Sequence, residues 1–137
     1  MFSRILVPVD LAHPQELEKA LKIAADLARN YGVPICYVGV TEEAPSPIAH
    51  NPREFAQKLA AFAAEQAARH GIEASARAYP AHDPAVEITD ILLRAVAEVG
   101  ADLVVMASHK PNIADYILPS HGGGIATHTG ISVFLVR

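Results

Sequence analysis

The chain has 137 residues, 51% hydrophobic and 19% charged, with 11 basic against 15 acidic side chains for a formal charge of −4. That length builds about one domain, expected to span residues 1–137, and it buries roughly two thirds of the surface its unfolded form exposes. The charges are spread rather than bunched, and no run of five or six like charges exists to track a phosphate backbone, so extended disorder and nucleic acid as main partner are both set aside.

The first residues, MFSRILVPVD, hold about five apolar positions before Asp10, too few for a signal-peptide core or a membrane span. A cytoplasmic protein with no membrane insertion is therefore expected. The run RILVPVD reads as a strand ending in an acid. HPQELEKALKIAADLARNYG follows, with Leu17, Leu21, Ala24, Leu27 and Ala28 at three- and four-residue spacing, the pattern of an amphipathic helix stopped by Gly32. PICYVGV is the second strand, and its Cys36, the single cysteine, reads as a small buried hydrophobe in a reducing compartment.

After a loop carrying Pro45, Pro47 and Pro52, REFAQKLAAFAAEQAARHG sets Phe55, Leu59 and Phe62 on one helix face and stops at Gly71. IEASARAY alternates like a strand. DPAVEITDILLRAVAEVG reads as a third helix with Ile88, Ile91, Leu92, Ala95 and Val99 inward, and ADLVVMAS is a short apolar strand. A long polar and glycine-rich stretch, SHKPNIADYILPSHGGGIATHTG, then precedes the last strand, ISVFLVR. A fourth helix is expected within that stretch, beginning near Ser120.

Strand and helix alternate at the spacing that demands parallel pairing through crossovers. The expected fold is a doubly wound α/β sandwich, a five-stranded parallel sheet with helices on both faces in the Rossmann-like manner. In such sheets ligands bind beyond the carboxyl ends of the strands, where strand order reverses. The candidate residues are then Pro8 and Asp10 after the first strand and Ala107, Ser108 and His109 after the fourth. A helix starting at Ser120 would aim the amides of His121, Gly122 and Gly123 at the same loop, and Lys110 would supply a point charge, together an anion site. Pro119 has no N–H to give and narrows that space. Asp10 has a second reading, as an acid capping the helix that begins near Pro14.

ILVPVD, VGVTE and VVMASHKPNIADYILPS, closed by SVFLVR, resemble the universal stress protein family over the whole chain. The family's nucleotide motif is Gly, two residues, Gly, nine residues, then Gly with Ser or Thr. Here Ala107 stands at the first glycine, the second is either replaced by Lys110 or deleted, and Pro119-Ser120 stands at the Gly-Ser pair, with the spacer one residue shorter. ASHKP is similar to a subgroup with Ser-His-Arg/Lys-Pro in place of the glycine pair.

The resemblance implies that Asp10 contacts the nucleoside, that the Val40 backbone reads the adenine, and that Ser108, His109, Lys110, Ser120, His121 and Gly122 surround the phosphates. It implies ATP or a related adenine nucleotide, with or without Mg2+, as ligand, and a homodimer formed through the C-terminal edge strand 131–137.

Seven histidines invite a metal reading, yet ordinary zinc spacings and a His-x-x-x-His pair with a neighbouring glutamate are missing. Neither a Gly-x-Ser-x-Gly elbow nor a Walker glycine loop is present, so hydrolysis of a nucleotide is expected to be slow or incidental. The expectation is a regulatory or sensing module. Its competitors are a dimeric adaptor that has lost nucleotide binding and a hydrolase acting through the histidines.

Overall fold

The computed structural model describes residues 1–107 and 131–137. Among them lie five strands and three helices in alternation: β1 Ile5–Pro8, α1 Pro14–Tyr31, β2 Ile35–Glu42, α2 Pro52–His70, β3 Ala74–Ala81, α3 Pro84–Val99, β4 Leu103–Ala107 and β5 Ser132–Val136. The fourth helix expected from the sequence, with its start at Ser120, lies outside the described residues.

Each helix opens on a proline at its first turn, Pro14, Pro52 or Pro84, where a missing N–H costs nothing. Each closes on a glycine. Gly32 at the end of α1 has φ 66° and returns its N–H to the Ala28 carbonyl, a left-handed turn that a side chain would strain. At the start of α2, Asn51 accepts the Glu54 amide at 2.8 Å, and His50 donates to the Glu54 carboxylate through its ring and its backbone. The His50 ring, then its amide, hold the Glu54 carboxyl below its ordinary range.

The strands form one sheet in the order β3-β2-β1-β4-β5, and every pairing is parallel. Ile5 stands opposite Ile35 of β2 on one side and Leu103 of β4 on the other. Chain direction across the sheet therefore reverses between β1 and β4. α1 and α2 cover one face, where Ile5, Val7, Ile35, Tyr37, Leu103 and Val105 meet Leu17, Leu21, Phe55 and Leu59. α3 covers the other, where Leu6, Val38, Val104 and Met106 meet Ile91, Leu92, Ala95 and Val96.

β4 is buried on both faces from Leu103 to Met106, which is why its sequence lacks polar alternation. Cys36 is buried, as expected from its apolar setting. β5 forms one edge of the sheet, with Phe134 exposed on it. Among the described residues no helix is long and apolar enough to cross a membrane.

Arg4 and Asp102 fasten β1 to β4 at the amino ends of the strands. The Asp102 carboxylate accepts the backbone amides of Ser3 and Arg4 and the Ser3 hydroxyl, while its own amide donates to the Arg4 carbonyl. The Arg4 guanidinium donates to the Val99 carbonyl at the end of α3, 2.8 Å away. Burial works to raise the Asp102 pKa, but the amides of Arg4 and Ser3 and the Ser3 hydroxyl outweigh it and hold the carboxyl below the ordinary value.

An acid depressed in the fold stabilises it above its unfolded pKa, and that contribution fades as pH drops through the native value. Asp102→Ala is accordingly expected to lower stability by about 1 kcal/mol at neutral pH. In denaturant titrations the gap to wild type should narrow between about pH 4 and pH 2; a gap independent of pH would show that the carboxylate charge contributes nothing.

Candidate functional site

The β1–β4 reversal opens a cleft of about 540 Å³ at the carboxyl ends of the strands, a volume within the usual range for small-molecule sites. Its floor is built by the ends of three strands: Pro8 of β1 with Val9 and Asp10 after it, Val38, Val40, Thr41 and Glu42 on β2, and Met106 and Ala107 on β4. One wall is the first turn of α1, with His13, Glu16 and Leu17. A second wall is α3, with Pro84, Ile88 and Leu92. A parallel α/β unit begins the helix after each strand at this end of the sheet, so both helix starts must border it.

The third wall is the loop between β2 and α2, where Ser46, Pro47 and Ile48 face the cleft. Ser46 ties this loop to itself. Its hydroxyl accepts the amides of Ile48 and Ala49, and its own amide donates to the Ala49 carbonyl at 2.8 Å. Lys58, reaching back from α2, donates to the Ile48 carbonyl. Ile48 is thereby held as a fixed apolar wall.

Of the residues nominated from the sequence, the fold brings Pro8, Asp10, Val40 and Ala107 to this one cleft, from three different strands. Asp10 and Val40 are half-buried. Ser108, His109, Lys110, Ser120, His121 and Gly122 lie outside the described residues. Asp10 does not cap α1: the N-cap residue is His13, and the Asp10 carboxylate instead accepts the Ala12 amide at 2.9 Å and contacts the His13 ring at 3.0 Å. The described lining is mostly apolar, and its ionisable groups are the acids Asp10, Glu16 and Glu42 and the imidazole of His13. Among the described residues no group of three or more His, Cys, Asp or Glu side chains is arranged to hold a metal ion.

The profile of the universal stress protein family matches residues 1–137. The chain belongs to that family. Universal stress protein G of Shigella flexneri is 26% identical to it over 148 residues, covering 100% of both chains. A universal stress family protein from Burkholderia pseudomallei has the same fold at a TM-score of 0.69, with 23% identity over 98% of this chain and 95% of that one. The universal stress protein of Archaeoglobus fulgidus in complex with dAMP superposes at 0.66, with 20% identity over 98% of each chain. A universal stress protein in complex with cAMP superposes at 0.65, with 18% identity over 99% of this chain and 97% of that one. At such identities the structural likeness is one of fold.

Sequence reasoning missed the walls. Ile88, read as a core residue of α3, lines the cleft, as do His13 and Glu16 in the first turn of α1. Pro47-Ile48 and Phe55 were equally silent, although an apolar pair in a loop at the carboxyl end of a strand is a usable signal.

Phe55 reaches the cleft only because β2 carries a glycine beside Val40. A Cβ built on Gly39 would stand 2.8 Å from the Phe55 ring and 3.2 Å from Leu59, closer than packed carbons approach. Gly39→Ala is expected to cost about 1–3 kcal/mol in thermal unfolding by forcing a 5%-exposed ring out of place. Adding Phe55→Leu should recover part of that loss. An unchanged melting temperature in Gly39→Ala would contradict the close contact.

Proposed function

We propose that this universal stress protein binds an adenine nucleotide in the cleft and acts as a regulatory or sensing module with little turnover. The observation that carries the reading is the convergence of Pro8, Asp10, Val40 and Ala107 on one mostly apolar cleft at the reversal of strand order. An apolar slot between Ile48, Val40 and Ile88 suits a flat purine, and Asp10 offers a carboxylate acceptor to the polar edge of a nucleoside. The dAMP and cAMP complexes of proteins with this fold support the ligand class.

The acids of the described cleft disfavour a phosphate beside them, since like charges in a half-buried site repel. The phosphate end of the ligand therefore belongs past Ala107, where Ser108, His109, Lys110, Ser120, His121 and Gly122 follow in the sequence. Those residues supply the cation, hydroxyls and small side chains that phosphate oxygens require. The ligand is ATP or a smaller adenine nucleotide, and Mg2+ accompanies it where two or more phosphates are present.

The protein works as a cytoplasmic homodimer paired through the edge strand 131–137, a reading supported by the exposed Phe134 on β5, an edge strand among the described residues.

Calorimetric titration of the full chain with AMP and with ATP, with and without Mg2+, tests the reading. Saturable binding is expected, weakened about tenfold, or 1.4 kcal/mol, by Asp10→Ala. The absence of a saturable signal at millimolar nucleotide would favour the adaptor instead.

A further inference from the structure

Gln66 is a polar side chain that the packing of the helical layer leaves unexplained. It lies on the buried face of α2 with Phe55, Leu59 and Ala63, at 3% exposure. Its oxygen, Oε1, is sealed from solvent without a hydrogen-bond partner among the described residues, where the Tyr37 hydroxyl is the other such atom. An unpaired buried amide destabilises a fold, and a leucine would fill the same position without that penalty. The amide nitrogen is not sealed in this way. No described residue accepts a bond from it, so its N–H donors open on the hollow between α1 and α2 that Gln66 lines.

That hollow measures about 150 Å³, well under the roughly 300–1,000 Å³ of a site for a larger organic ligand, and it shares no lining residue with the cleft. Three cations border it, Lys22, Arg29 and Arg69, against two acids, Glu18 and Asp26. Both acids are engaged, Asp26 by the Arg29 guanidinium and Glu18 by Arg69 at 3.6 Å. Arg29 also crosses between the helices to donate to the His70 carbonyl at 2.7 Å. Lys22 makes neither an ion pair nor a hydrogen bond among the described residues. The His70 ring registers this balance of charge: burial first, then the neighbouring charges of Arg69 and Arg29, hold its pKa below the ordinary value.

We propose that the hollow between α1 and α2 is a second ligand site, for a small tetrahedral oxyanion of the phosphate or sulfate kind, with Lys22 as its point charge and the Gln66 amide as the donor from its floor. Such an ion presents acceptors on every side, and Lys22, the Gln66 amide nitrogen and the guanidinium N–H groups left over from the ion pairs are all donors. The acids do not oppose an anion here as those of the cleft do, because each is matched by a guanidinium and Lys22 leaves one positive charge in excess. The assignment does not depend on nucleotide binding in the cleft.

Amide shifts of the isotope-labelled full chain, followed by magnetic resonance while sodium phosphate, sodium sulfate or sodium chloride is added at matched ionic strength, test the site. Phosphate and sulfate are expected to move the Gln66 side-chain amide and the signals of residues 18–29 and 66–70, saturating in the millimolar range, while chloride leaves them in place. Lys22→Gln should weaken phosphate about tenfold. Gln66→Leu should abolish the saturable shifts and raise the melting temperature of the same protein, since it removes an unpaired buried amide. AMP titrations of both variants should match wild type.

The absence of saturable shifts in wild type, equal shifts with chloride, phosphate shifts confined to the cleft, or phosphate affinity unchanged in either variant would overturn the site while leaving the nucleotide reading untouched. Should Gln66→Leu fail to fold, Lys22→Gln decides alone, and undiminished phosphate affinity in it would contradict the assignment.

Discussion

The reversal of strand order between β1 and β4 is the constraint on which the rest depends. β1 sends the chain outward through α1 to β2, while β4 receives it from the opposite face through α3. Two neighbouring parallel strands whose helices lie on opposite faces leave a crevice at their carboxyl ends that no crossover fills. The bonds between Asp102 and the Ser3–Arg4 backbone hold the same two strands together at the other end. One end of the β1–β4 pair is tied shut, and the other opens into the cleft.

The cleft divides its labour by polarity. Among the described residues, Ile48, Ile88 and Leu92 form aliphatic walls shaped for a flat apolar body, while Asp10, His13 and Glu16 stand by the start of α1 and Glu42 at the end of β2, with Asp10 bonded within its own turn. Rigid surroundings suit this division. The Ser46 turn and Lys58 hold Ile48, and the Phe55 ring lies against the Gly39 backbone with no space to spare. A site on fixed elements recognises by shape and by a few oriented polar groups.

The sheet was legible because each element carries its own period and punctuation: β-branched runs for buried strands, three- and four-residue spacing for helices, prolines and glycines at the boundaries. Pro8, Asp10 and Ala107 followed from that reading, since parallel sheets bind ligands at strand ends; Val40 came from the family resemblance. The walls did not follow. Ile48 depends on how one loop folds on Ser46, and Phe55 depends on a missing side chain at Gly39, both matters of three-dimensional contact. His13 looked like a residue before a helix start, and only its geometry turned it toward Asp10.

The most direct test of the central claim is where a bound adenine sits. Photolabelling with 8-azido-AMP, followed by peptide mapping, is expected to mark the segments around Val9–Leu17, Val38–Phe55 and Pro84–Leu92 that face the cleft. Competition by unlabelled AMP should remove those marks. Competable labelling confined to the tied end of the strands, around Ser3, Arg4 and Asp102, would contradict the account.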